Sequence, residues 1–207
     1  MSPLFLYNIW SIRHELKLVV FSFIILLSLP IIAVLILTNA GIDTVSDKLA
    51  TVNTQTQKIQ IHNPLNGSVI TEISPVMEWP VAGVVTLEFG QSDWPYQPFH
   101  TGIDIANPEG KIGDPIVPFM PGTVTYAGEI FWGFGKYIII DNGNNVTSIY
   151  AHLSAIYVYT GEKVTLGQVI GAEGQTGWAT GPHLHFQIDV FGIPVNPRTF
   201  LGNGNPN

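Results

Sequence analysis

The sequence contains no cysteine. Disulfides, thiolate zinc sites, a cysteine nucleophile and a lipid-modified cysteine are therefore excluded together. An exported domain built from this chain must be held by its core, or by a core and a metal. Charge is also scarce: 11% of the 207 residues are charged, 8 basic against 15 acidic, for a formal net charge of −7. From Met77 onward only Lys111, Lys136, Lys163 and Arg198 are basic, facing eleven acidic residues. A nucleic-acid-binding face needs the opposite balance, so no nucleic-acid partner is expected.

Charge is missing altogether from residues 18–38 (LVVFSFIILLSLPIIAVLILT). Such a run is long enough to cross a hydrocarbon core roughly 30 Å thick. It exceeds the usual signal-peptide core of about 7–15 residues, and no face of it is polar. Residues 38–40 (TNA) leave cleavage as the alternative. Pro30 sits mid-span, where neighbouring groups in lipid tolerate a kink. Arg13 and Lys17 precede the run and the next basic residue is Lys48. The positive-inside tendency then predicts a single-pass membrane protein, with residues 1–17 cytoplasmic and everything after the span outside.

Residues 39–76 read as an extracytoplasmic stalk. Its first part, 41–62 (GIDTVSDKLATVNTQTQKIQIH), is polar and lacks aromatics, with a short helix near 43–50 as the alternative. One strand is expected at 68–73. Beyond residue 77 the texture changes to short apolar or alternating runs broken by Gly, Pro and Asn, with no long amphipathic helix. This pattern predicts an all-β domain over 77–201, antiparallel and sandwich-like, followed by a tail at 202–207. KYIIIDNGNNVTSIYAHL (136–153) reads as a hairpin turning at 142–145.

Six histidines are present, and four fall inside this domain: His100, His152, His183 and His185. HLHFQIDV (183–190) follows a Gly-Pro turn and reads as a strand, so His183 and His185 share one face. Two adjacent imidazoles can share a metal, or one can bind metal while the other handles protons. The plain alternative is a pair of polar residues on a wet strand face. His100 opens H-T-G-I-D, and on an extended chain the first and fifth residues converge, bringing Asp104 beside it. Two His and one Asp suit tetrahedral zinc with one open position. His152, on a separate strand, has the chemistry of a general base or transition-state donor.

FHTGIDIA (99–106), YAHLS (150–154) and GQTGWATGPHLHFQI (174–188) resemble the three signature blocks of the lysostaphin/LytM-type zinc metallopeptidases, the M23 family. EKVTLGQVIGAEG (162–174) is similar to the family's intervening segment, and PVNP (194–197) to its exit. The resemblance spans about residues 79–201. It implies one zinc ion per chain bound by His100, Asp104 and His185, with His152 and His183 handling protons and stabilising the tetrahedral intermediate. It also implies Tyr96 as the tyrosine that some members place near the intermediate's oxygen. The implied activity is hydrolysis of peptide bonds in bacterial peptidoglycan. The alternative is a catalytically silent module acting as activator or scaffold with a partner in a cell-envelope complex. Two departures stand out. The arginine common after the family's Phe-Gly is absent where Phe89-Gly90 leads into QSDWPYQP. Trp178 stands where a small polar residue is common, either lining the groove or capping the turn.

Overall fold

The computed structural model describes residues 16–26, 28–29, 41–42, 44–74, 77–92 and 98–204. The chain divides into two compact units, Met1–Ala40 and Gly41–Asn207. In the first, residues 16–26 and 28–29 are helical and their apolar side chains, including Phe21 and Phe23, are exposed. Among the described residues no helix is long and apolar enough to cross a membrane. Residue 27 and residues 30–38 of the expected span lie outside the described residues.

The second unit opens with helical residues 44–49 and a meander of three antiparallel strands, β1 (Ala50–Val52), β2 (Ile59–His62) and β3 (Val69–Ile73). Strand β3 falls where one was expected, but the rest corrects the reading of 39–76 as a stalk. Its polar composition concealed an alternation in which Ile59 and Ile61 are buried while Gln60 and His62 are partly exposed. Both connections use the same device. The Asn53 side chain accepts from the Gln55 and Thr56 N–H groups, and the Asn63 side chain from Leu65 N–H. Each loop closes through a left-handed residue four positions on, Gln57 (φ 58°) or Gly67 (φ 70°). Asn side chains that mimic a backbone turn specify such loops locally. Leu49, Ala50, Ile59, Ile61 and Ile73 belong to the same buried cluster as Phe119, Phe186 and Phe200, so this sheet is part of the folded body.

The remaining strands are β4 (Val84–Leu87), β5 (Ile103–Ala106), β6 (Pro115–Ile116), β7 (Gly122–Glu129), β8 (Lys136–Asp141), β9 (Val146–Leu153), β10 (Ala155–Ile156), β11 (Lys163–Val164), β12 (Gly171–Ala172), β13 (Leu184–Val190) and β14 (Ile193–Val195). They form a large antiparallel sheet in the order β11-β7-β8-β9-β13-β5-β4, with β14 on β13, and a small one in the order β10-β12-β6. The mostly β, antiparallel architecture expected of 77–201 is present, and β8 and β9 pair as the expected hairpin.

Strand β13 lies at the centre of the large sheet. Leu184, Phe186, Ile188 and Val190 are fully buried on one face, where Phe119 packs against Phe186 at 5.5 Å and Phe200 at 6.0 Å. Tyr150 joins this core and its hydroxyl accepts from Phe119 N–H at 2.9 Å, so a buried polar atom is satisfied. The other face of β13 carries His185, Gln187 and Asp189. Register then sets the site: His185 sits opposite Asp104 on β5 and opposite Ala151 on β9.

Candidate metal centre and active site

Nε2 of His100, Oδ1 of Asp104 and Nδ1 of His185 lie 2.9–3.0 Å from one another. Sequence spacing brings His100 and Asp104 together, and strand register brings His185 to both. The tautomer of His100 follows from its other nitrogen. Nδ1–H donates to the Glu88 carbonyl at 3.3 Å, leaving Nε2 with its lone pair toward the triangle. Three electron-rich atoms this close repel one another unless a shared proton or a cation lies among them. Donors about 2.0–2.2 Å from a tetrahedral metal stand roughly 3.3 Å apart, so the set fits zinc with shifts of a few tenths of an ångström.

Burial opposes ionisation of Asp104, but a proton shared with His100 and His185, through its hydrogen bonding and charge, holds the carboxyl well below the usual carboxylate range, and a bound cation would take that proton's place. An ionised carboxylate beside neutral imidazoles is the state that binds a metal cation.

His152 and His183 stand next to this triangle, their ring centroids 4.7 Å apart, with His152 6.0 Å from His185. His183 Nε2 lies 3.6 Å from Asp104 Oδ2. Both rings are oriented by backbone carbonyls that can only accept. His152 Nδ1–H donates to Thr176 O at 2.8 Å, and His183 Nδ1–H to Gly181 O at 2.9 Å. Each Nε2 is thereby left as a proton acceptor. Burial first, then the neighbouring imidazoles of His183 and His185, push His152 down to about 4, which keeps it neutral near pH 7. Simple alternation along β9 would send His152 to the same face as Tyr150, the core face. Its backbone is instead left-handed (φ 62°), and the ring reaches the histidine cluster. A β-region strand residue held in that conformation is strained, a condition that recurs at functional sites.

An open cleft of about 300 Å³ lies over these groups, lined also by Thr86, Leu87, Trp178 and Thr180. Trp178 lines the cleft, and its backbone N–H donates to Gly133 O at 2.8 Å, a tie between two loops. Tyr96 lies outside the described residues. The structure thus brings together five of the six residues singled out from sequence.

Sequence reasoning missed the residues that hold the five in place. Phe134 stacks on His185 at 5.5 Å and 29°, and its carbonyl accepts from His152 N–H. Thr176 supplies the carbonyl for His152, while its hydroxyl donates to Leu153 O and accepts from Lys136 N–H. Behind His185, Nε2 faces Gln187 Oε1 at 3.5 Å; Thr101 Oγ1 donates to that same oxygen at 2.6 Å, and Gln187 Nε2 donates to Asp189 at 2.7 Å. The only local signal for these residues is the period-2 polar face of HLHFQID, which places Gln187 and Asp189 beside His185. No signal in the sequence points to Phe134 or Thr176. Near Gly90, Arg198 grips Glu88 at 2.7 and 3.1 Å and lies over Trp79. Its contacts link the short helix Arg198–Leu201 to the end of β4 and do not reach the cleft.

Comparison with known proteins agrees with this geometry. Residues 98–197 match the model of peptidase family M23. The DD-carboxypeptidase/endopeptidase Mpg of Neisseria meningitidis is 44% identical over 98 residues, covering 47% of this chain and 22% of that protein. The murein hydrolase activator NlpD of Salmonella typhimurium is 36% identical over 138 residues, covering 66% of this chain and 34% of that protein. The chain thus spans about a fifth to a third of the length of these two relatives. Among solved structures, a mutant catalytic domain of the prophage-encoded M23 protein EnpA from Enterococcus faecalis is 36% identical, covered over 98% of its length by 62% of this chain with a TM-score of 0.51. With the signature histidines and Asp104 converged on one cleft, the chain belongs to peptidase family M23.

Proposed function

We propose that this protein is a zinc-dependent endopeptidase that hydrolyses peptide bonds in bacterial peptidoglycan, held at the membrane through residues 18–38 with its β-domain outside. The observation that supports it best is the triangle of His100 Nε2, Asp104 Oδ1 and His185 Nδ1 at 2.9–3.0 Å, with two further imidazoles presenting free Nε2 atoms beside it. His100, Asp104 and His185 would hold the zinc, and two neutral imidazoles with one carboxylate leave the site a net positive charge. A zinc ion bound there supplies a Lewis acid that polarises a scissile carbonyl and acidifies water.

The chain's own residues account for the proton traffic. His152 is neutral at pH 7 and its Nε2 is aimed by the Thr176 carbonyl, so it can take a proton from attacking water. His183 Nε2, aimed by the Gly181 carbonyl, can donate to the tetrahedral oxygen or the leaving amine once protonated. Phe134 covers one face of the His185 ring and so fixes its orientation. A cleft lined with few charges suits short, mostly uncharged peptide stems.

A silent module serving an envelope complex is the second reading, favoured by the likeness to a relative named as a murein hydrolase activator. The deciding experiment uses the full chain in detergent: zinc content, then mass spectrometry of muropeptides released from purified sacculi. Stoichiometric zinc with new peptide termini is expected. Stoichiometric zinc with no released peptide would overturn the enzymatic reading in favour of the scaffold. External protease on spheroplasts should degrade the β-domain; full protection would overturn the orientation.

A further inference from the structure

Phe131 and Trp132, at the tip of the β7–β8 hairpin, are 82% and 51% exposed, and Trp178 on the facing loop is 60% exposed. Clusters of exposed aromatics of this kind mark contact surfaces. The tip is tightly tied down. Ile130 N–H bonds Gly135 O, Trp178 N–H bonds Gly133 O, and Lys136 N–H bonds the Thr176 hydroxyl. The two loops meet through glycines: a Cβ on Gly135 would lie 2.4 Å from Thr176, and one on Gly177 2.3 Å from Gly133 O, so no other residue fits at either position. Phe131 and Trp132 also brace each other edge to face at 4.2 Å. The aromatics are therefore held in place before any ligand arrives, which lowers the entropy cost of binding.

The hairpin tip adjoins the cleft wall through the bond from Trp178 N–H to Gly133 O. Trp178 lines the cleft beside the histidines, and Phe134, two residues from Trp132, stacks on His185. The two loops are also uncharged: residues 130–135 and 174–182 contain no Asp, Glu, Lys or Arg. An anionic polymer or an anionic lipid surface would call for basic residues there. A neutral ligand with a flat apolar face remains, and the polarised C–H face of a pyranose ring is attracted to the electron-rich face of an aromatic ring.

Building on the peptidase reading, we propose that Phe131, Trp132 and Trp178 form a stacking shelf for N-acetylated sugar rings of the glycan strand that carries the peptide stem. The sugars dock on the shelf while the stem enters the cleft, so the protein acts on glycan-borne stems in preference to free peptides.

The test uses the full-length protein in detergent and neutral N-acetylglucosamine oligomers as the glycan probe, with binding read by intrinsic tryptophan fluorescence and calorimetry. Wild type should bind, and Trp132→Ala combined with Phe131→Ala should weaken binding at least tenfold, while Trp178→Phe, which keeps a stacking face, should retain most of it. The first two residues are exposed enough for circular dichroism to show an unchanged fold. On cross-linked stems, Trp132→Ala should lower kcat/KM for glycan-borne substrate and leave sugar-free cross-linked peptide unchanged. Absence of glycan binding by wild type overturns the proposal, as does an equal loss on both substrates. Binding to phosphatidylcholine vesicles that Trp132→Ala abolishes, without glycan binding, would assign the shelf to lipid and overturn it too. Glycan binding by a protein that cleaves neither substrate would uphold the shelf and defeat the peptidase reading instead.

Discussion

Two secluded carboxylates of the β-domain are driven in opposite directions. At the cleft, 15% of the Asp104 side chain is exposed, yet it stays ionised because two imidazoles converge on it. Just beyond β12, Glu173 is fully buried with Asp114 as its charged neighbour. Burial foremost, and then the Asp114 charge, push its carboxyl up to about 7 against the pull of the Asn107 N–H. Seclusion alone therefore does not determine the behaviour of an acid in this fold. The partners that the strands deliver decide it.

Breaking the cleft side of this contrast has the largest expected effect. Asp104→Ala leaves two protein donors, so zinc should fall from about one per chain to a small fraction, with loss of activity and of metal-dependent stability. Metal analysis and calorimetry with and without chelator check it, and unchanged zinc affinity would remove Asp104 from the ligand set. Next come the proton handlers. His152→Ala and His183→Ala should each keep zinc while turnover falls about 10²- to 10⁴-fold, and the double variant should lose less than the product of the two. Zinc loss from His183→Ala with retention in His185→Ala would exchange their roles. A smaller effect is expected behind the metal. Gln187→Leu removes the acceptor facing His185 Nε2 and should weaken zinc binding about 10- to 100-fold, with Gln187→Glu restoring most of it.

The smallest effect sharpens the Glu173 side of the contrast. Because the folded protein holds Glu173 at about 7, above its usual 4.5, the fold favours the protonated form. Its contribution to stability is complete below about pH 4.5, declines as pH rises toward 7 and is lost above that. Glu173→Gln should flatten this slope and raise the melting temperature above pH 7 by a few degrees, with little change at pH 4. Thermal unfolding from pH 4 to 8.5 checks it, and identical slopes in wild type and variant would mean that folding does not shift Glu173.

The chemistry was legible where it depends on strand periodicity. His100 and Asp104 meet because residues four apart on an extended chain share a face, and His183 and His185 because they are two apart. His152 was identified by residue type and by the likeness of YAHLS to a family signature block, since its left-handed backbone leaves no trace in the strand pattern. The β1–β3 meander was hidden by its composition: Ala50, Ile59 and Ile61 carry the burial, while the Asn-initiated loops between the strands look like linker. Because Ile59 and Ile61 belong to the main core, a fragment beginning at residue 77 would expose part of it. Phe134 and Thr176 orient His152 through backbone carbonyls, which every residue possesses, so that part of their role leaves no mark in the sequence.

The left-handed turn at His152 has an evolutionary consequence. The conformation carries a backbone cost of about 1–3 kcal/mol, borne here by a histidine whose ring it turns toward the cluster. A lineage released from hydrolysis can place Gly or Asn there, both at ease with positive φ, and recover that cost. Drift from enzyme toward silent scaffold is energetically downhill at this position, whereas the return requires a histidine to be accepted against the strain.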